Sequence, residues 1–150
     1  MITRLGHMAI RTKDIEATAK FYREVLGMKE AFRMQNPAGD ALGSIHMYVA
    51  PFQFIEIFPN GTEDNRGDHL KEIGLNHFCF EVDNAETYLE EIRKRGAPID
   101  VELKRGYSRC IMFWTHDLDG NRLEFMELPP DCRQVESTNR IAGEMSSGRC

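Results

Sequence analysis

The sequence predicts an α+β protein built of two tandem βαβββ modules that together form a curved mixed sheet. Two observations predict it. The stretch "LGHMAIRTKDIEATAKFYREVLGM" is echoed by "LNHFCFEVDNAETYLEEIRKRGAP", and their histidines, His7 and His77, stand 70 positions apart. After each of these segments come three further strand-like runs, so the duplication covers the whole plan of each half.

In the first half, Leu5 to Ile10 reads as a strand. Asp14 then stands at an N-cap, where its carboxylate accepts an orphan backbone N–H. Ile15, Ala19, Tyr22 and Leu26, with Phe21 and Val25 beside them, recur at helical spacing, and Gly27 suits the left-handed C-terminal cap. Strand-like runs follow over Met28 to Met34, Ser44 to Ala50 and Gln53 to Phe58. The second half repeats this: a strand from Leu75 to Val82, a cap at Asp83 or Asn84, a helix carrying Ala85, Tyr88, Leu89 and Ile92, then Gly96. Arg93, Lys94 and Arg95 crowd its last turn, where positive charge suits the macrodipole. Ile99 to Lys104, Arg109 to Thr115 and Arg122 to Leu128 complete the half, with "DLDGN" as the turn before the last run. The modules, about 1–58 and 72–128, make one domain over 1–128. Between them, 59–71 ("PNGTEDNRGDHLK") is a polar, turn-rich linker. The tail, 129–150, is polar with a double proline at its root, and reads as a disordered end or as an arm across a partner.

Composition bounds the function. At 150 residues, 41% hydrophobic and with a net charge of −5, the chain has material for one domain with a real core. No run approaches the ~20 apolar residues of a membrane span, and no secretory signal is read at the N-terminus, so the cytosol is the expected location. The four cysteines, Cys79, Cys110, Cys132 and Cys150, form no C-x-x-C pair and read as free thiols. Lys and Arg interleave with Asp and Glu, which argues against nucleic acid and anionic membranes and for a small-molecule partner.

The fourth strand of each half carries a glutamate among bulky apolar neighbours, Glu56 in "FIEIF" and Glu124 in "RLEFMEL". Glu56 lies 49 positions after His7, and Glu124 lies 47 after His77. Strand alternation puts Glu56 on one face with Phe54 and Phe58, where an unpaired carboxylate is costly and a cation removes the cost. Taken singly, each residue has an ordinary reading: a hydrogen-bonded histidine near the core, or a glutamate on a solvated face. Four matched positions in two repeats point instead to an N₂O₂ set suited to a divalent transition metal, with Ni, Co, Zn, Mn or Fe favoured over Cu(I) or Ca.

The pattern H7-x-x-x-R11 with "FYREVLGM", then "FIEIFPN", "NHFCFEVDN" and "DLDGNRLE", resembles the vicinal oxygen chelate superfamily, and within it glyoxalase I (lactoylglutathione lyase), from about Leu5 to Leu128. The resemblance implies a glyoxalase-like fold in which His7, Glu56, His77 and Glu124 bind one divalent metal per site, with Ni, Co or Zn first and Mn or Fe after. It implies that Arg11 and Asn60 hold the γ-glutamyl end of glutathione. It further implies a homodimer with two sites where modules of different chains meet. The implied activity isomerises the hemithioacetal of methylglyoxal with glutathione, or another thiol, to an S-2-hydroxyacyl thiol through an enediolate, with Glu124 as main base and Glu56 as its symmetric partner. Two departures stand out. Leu118 replaces the proline of the usual turn. Basic residues expected ahead of the second histidine are represented by Lys71 near Ile73, with Lys104, Arg105 and Arg109 as substitutes in the loop.

Two alternatives are another metalloenzyme of the superfamily, an epimerase or isomerase of a different α-hydroxycarbonyl or coenzyme A substrate or a thiol transferase, and a non-catalytic bleomycin-type binding protein. A sequestering protein has no need of a buried His₂Glu₂ set, and a dioxygenase triad would leave Glu56 without a role. Among other residues, His46 is expected at a strand surface rather than as a third imidazole ligand, and His69 and His116 at solvent. Tyr107, Phe113 and Trp114 read as pocket lining or simple core, and Met8, Met47, Met112 and Met126 as packing.

Overall fold

The computed structural model describes residues 2–62 and 73–147. Its elements in chain order are β1 His7–Arg11, α1 Ile15–Lys20 continued by a π-helical turn Phe21–Val25, β2 Lys29–Gln35, β3 Leu42–Ala50 and β4 Gln53–Phe58; then β5 Phe78–Glu81, α2 Ala85–Lys94, β6 Val101–Arg105, β7 Ile111–His116, β8 Arg122–Glu127 and α3 Arg133–Ser146. The halves repeat one topology. Each is a four-stranded mixed sheet, ordered β1-β4-β3-β2 and β5-β8-β7-β6. The first strand of each half runs parallel to the fourth and the remaining pairings are antiparallel.

Local chemistry starts the helices as expected. Asp14 accepts from the backbone N–H groups of Glu16 (3.1 Å) and Ala17 (3.0 Å). Of the two candidate caps in the second half, Asn84 is the one used, accepting from Thr87 N–H at 2.8 Å. Gly27 closes the first helical segment at φ 73° and Gly96 the second at φ 89°, both in the left-handed region that favours glycine. The first helix is not α throughout. Leu26 N–H bonds back to Phe21 C=O, five residues away, and the wider turn lets Ala19, Phe21, Tyr22 and Leu26 all face the core.

Each sheet buries one face against its own helix. Ile10, Ile45, Met47, Ile55 and Ile57 pack with Ala19, Tyr22 and Leu26; Phe78, Phe80, Phe113, Leu123 and Phe125 pack with Leu89 and Ile92. Phe113 is therefore core. The core residues of both halves form one cluster, and polar contacts through the "DLDGN" turn also join them. Asp117, 2% exposed, accepts from Tyr22 Oη at 3.0 Å, from Asn121 N–H at 2.8 Å, from Asn121 Nδ2 at 2.6 Å and from Asp119 N–H at 3.1 Å. Asp119 reaches Thr12 and Thr18, whose hydroxyls are 2.6 Å apart, and Tyr88 Oη donates to Leu26 C=O at 2.7 Å. Leu118, where proline is usual, is exposed.

The region after the double proline differs from expectation, because residues 133–146 form α3. None of its residues is buried, and its apolar side chains are few, Val135, Ile141, Ala142 and Met145. It is held by ends and charges instead. Cys132 is buried at the N-cap, Arg133 N–H bonds Ser108 C=O at 2.9 Å, Arg109 pairs with Glu136 at 2.5 Å, and Arg105 pairs with Asp131. An Arg140–Glu144 pair at 2.6 Å supports the helix at (i, i+4) spacing.

Removing the buried carboxylate that organises the inter-half turn leaves its donors unpaired. Asp117→Ala is expected to destabilise the fold by about 3 kcal/mol, read by urea unfolding.

Candidate metal centre

On β4, Ile55 and Ile57 enter the core, which turns Phe54, Glu56 and Phe58 to the opposite face. Parallel pairing with β1 sets His7 beside this row, its Nε2 3.6 Å from Glu56 Oε2. On the other side, β3 places His46 directly across from Glu56, its Nε2 3.5 Å from Oε1. This corrects the expectation of a strand-surface histidine. His46 is only 7% exposed, stacked on Phe32 with ring centroids 4.1 Å apart and planes 20° apart. Burial pushes its pKa below the ordinary histidine value, opposed by the Glu56 carboxylate and assisted by His7. The antiparallel register puts His46 and Glu56 on one face, and Phe32 of β2 covers the ring. Neither fact is local to "SIHMYVA", so no sequence signal marked it.

The second half makes the matching pair. His77 stands just before β5, with Nε2 3.2 Å from Glu124 Oε2 and Nδ1 2.8 Å from Asn76 Oδ1. With the proton on Nδ1 donated to Asn76, Nε2 keeps a lone pair facing the carboxylate, which is the state a metal needs. The ring meets Trp114 edge-on at 4.7 Å and 66°. Arg122 lies 4.5 Å over the Trp114 ring and donates to Asn76 at 3.2 Å. Asn76, Trp114 and Arg122 thus frame His77, roles that isolated positions in the sequence did not announce. Cys79, the register partner of Glu124, has its thiol pushed up to about 12, first by burial and then by the Glu124 carboxylate, with which it hydrogen-bonds.

The four expected ligands therefore come together as two pairs. They do not form one cluster within the chain: among the described residues, no group of three or more His, Cys, Asp or Glu side chains is placed to hold a metal ion. His7 and His77 both line a cavity of about 310 Å³ between the halves, walled by Met8, Ile55, Phe78 and Phe80, and neither glutamate belongs to its lining. The donors suit a divalent transition metal, because each pair offers an imidazole Nε2 beside a carboxylate on a sheet face.

Arg11 and Asn60 lie at one end of this face. Arg11 Nη1 donates to Pro59 C=O at 2.6 Å, its guanidinium is 5.5 Å over the Phe58 ring, and Asn60 takes φ 66°. The basic loop residues are differently employed: Arg105 and Arg109 pair with Asp131 and Glu136 at α3. Tyr107 is fully exposed, and His116, half-buried, meets Asp100 at 2.9 Å. Cys79, Cys110 and Cys132 are free. His69, Lys71 and Cys150 lie outside the described residues.

A family model, the Glyoxalase/Bleomycin resistance protein/Dioxygenase superfamily, matches residues 4–125. The chain is 30% identical over 129 residues to the lactoylglutathione lyase of Schizosaccharomyces pombe, using 73% of this chain and spanning only 43% of that protein. Against the lactoylglutathione lyase of Escherichia coli O157:H7 it is 30% identical over 134 residues, covering 83% of this chain and 92% of that one. It is also 30% identical over 121 residues to the fosfomycin resistance protein FosX of Listeria monocytogenes, at 78% and 85% coverage. Among solved structures, a glyoxalase family protein from Enterococcus faecalis has a TM-score of 0.69 at 25% identity, with 83% of this chain and 97% of that chain covered.

A thiol raised from 9.0 to about 12 is a poor nucleophile despite an exposed residue. In metal-free protein at pH 8, Cys79 is expected to react with iodoacetamide about 10–100-fold more slowly than a thiol at the ordinary value, the smaller thiolate fraction being offset in part by its greater nucleophilicity, as followed by peptide mass spectrometry.

Proposed function

The chain belongs to the glyoxalase/bleomycin resistance protein/dioxygenase superfamily, and on that premise we propose that it is a metal-dependent lyase of the glyoxalase I kind. The observation that carries the reading is the matched pairing of His7 with Glu56 and of His77 with Glu124 at equivalent places in two copies of one module. His7, Glu56, His77 and Glu124 would hold one divalent cation, Ni, Co or Zn first and Mn or Fe after. The pairs stand apart in one chain, so in this reading His7 and Glu56 meet His77 and Glu124 of a second copy, giving a homodimer with two sites. Exposed Phe32 and Tyr48 on the first sheet, with Phe52 in the turn between β3 and β4, are consistent with such a face being covered.

When bound, the cation supplies Lewis-acid stabilisation of negative charge on two neighbouring substrate oxygens. The protein's own task is to move a proton. Glu124 takes it from the carbon bearing the hydroxyl and the sulfur of the hemithioacetal of methylglyoxal, and returns it to the adjacent carbon, while the hydroxyl proton changes oxygens. No atom is gained or lost, and the product is an S-2-hydroxyacyl thiol. Glu56 is the symmetric carboxylate. Arg11 and Asn60, at the open end of β1 and β4, are proposed to hold the γ-glutamyl end of glutathione. The proposed setting is the cytoplasm, where Cys79, Cys110 and Cys132 stay reduced.

A second reading is favoured by one observation. Arg105 and Arg109 are already paired with Asp131 and Glu136, so a glycyl carboxylate would have to displace those partners. The same metal set then serves a different α-hydroxycarbonyl, a coenzyme A-linked acid or another thiol.

The deciding assay follows thioester formation from methylglyoxal plus glutathione, with stripped protein reloaded separately with Ni, Co, Mn and Zn. Metal-dependent turnover that falls by about 10²–10⁴-fold in Glu124→Gln is the expected result. Tight metal binding without turnover under every metal would reject this substrate and favour the second reading.

A further inference from the structure

The register that places His46 opposite Glu56 places Trp114 opposite Glu124 in the second half. The two halves therefore treat equivalent carboxylates differently. Glu56 lies between two imidazoles, His7 near Oε2 and His46 near Oε1. Among the described residues Glu124 has one imidazole, His77, and the indole N–H of Trp114 is turned away, donating to Met112 Sδ at 3.2 Å. The Cys79 thiol also donates to Glu124, but weakly.

Which nitrogen of His46 carries the proton follows from its surroundings. Nδ1 is buried and has no hydrogen-bond partner, whereas Nε2 faces a carboxylate oxygen. A neutral ring places its single proton where an acceptor waits, so Nε2–H points at Glu56 Oε1. That state is the opposite of His77, whose proton is drawn to Nδ1 by Asn76 and whose Nε2 lone pair is left free. A ring whose Nε2 carries the proton, turned to a carboxylate, does not offer that nitrogen to a metal. The stack on Phe32 and an edge contact with Phe54, centroids 6.2 Å apart, keep the ring from turning. At 3.5 Å the contact is longer than a formed hydrogen bond and acts as an electrostatic one between the ring N–H and the carboxylate.

We infer that His46 is a positioning residue for Glu56: its buried imidazole holds one carboxylate oxygen from β3, so that the other stays turned toward His7. The inference rests on the reading of Glu56 as a metal ligand. Its consequence is a division of labour between two carboxylates that the duplicated sequence presents as equals. Glu56 is anchored from both neighbouring strands, and Glu124 is the one left able to swing between carbon atoms.

The test uses the full-length protein loaded with Co²⁺, with affinity read by chelator competition, geometry by the visible absorption bands, and stability of the metal-free form by thermal melting. His46→Phe keeps a ring on Phe32 and removes the donor; His46→Gln keeps a donor of similar reach. His46→Phe is expected to weaken Co²⁺ binding 10–100-fold and to alter the bands while the metal-free melting temperature stays within a few degrees, and His46→Gln is expected to recover most of the loss. Should His46→Phe fail to fold, His46→Leu takes its place. Wild-type affinity and spectrum in the donor-less variant, alongside weakened binding in Glu56→Gln, would overturn the positioning role and leave the ligand set standing. Unchanged affinity in Glu56→Gln would remove Glu56 as a ligand, and the role of His46 would fall with it.

Discussion

The constraint on which each half depends is a carboxylate in the middle of an apolar strand. Ile55 and Ile57 are core residues, so Glu56 between them must face the other way and must be compensated there. A slip of one residue in β4 would drive the carboxylate into the core and both isoleucines out of it, which makes the register stringent. Compensation comes from the neighbouring strands, His7 on the parallel side and His46 on the antiparallel side. β8 repeats the solution with Leu123 and Phe125 inward, and Glu124 outward against His77.

Polar contacts help set the two sheets relative to one another, beside a core cluster that spans both. The "DLDGN" turn of the second half is wrapped around Asp117, and the same carboxylate accepts from Tyr22 of the first half, while Asp119 reaches Thr12 and Thr18. These contacts sit among buried groups, where a satisfied network is specific and a broken one is expensive. They bring His7 and His77 to one cavity yet leave the two His–Glu pairs separate, each on an open sheet face. An arrangement of this kind leaves room for a second copy to complete a site.

Duplication also left room for divergence. Equivalent ladder positions hold a histidine in one half and a tryptophan in the other, so the same backbone presents one glutamate with an added donor and the other with an aromatic wall. The C-terminal helix adds a further asymmetry. It docks on the second half through Arg109–Glu136, with Arg105–Asp131 just ahead of it, which ties up two cations of that surface in ion pairs. A lactoylglutathione lyase and a fosfomycin resistance protein are equally similar to this chain at 30% identity, as expected where one fold hosts different functions through such local differences.

The sequence by itself determined the two βαβββ halves, their helix caps and the parity of Glu56 and Glu124. Each of these rests on short-range rules: alternation at period two, a capping side chain a few residues from its N–H, a glycine where φ is positive. It also marked His7 and His77, because a repeat exposes equivalent positions without any knowledge of contacts. Only the tertiary structure decided that His46 is buried against Glu56, that Asn76 orients His77, and that α3 forms and neutralises Arg105 and Arg109. These depend on which strands lie side by side and in what register, and on charges brought together across 26 or 27 positions of chain. Such pairings are made through space, and a local pattern carries no trace of them.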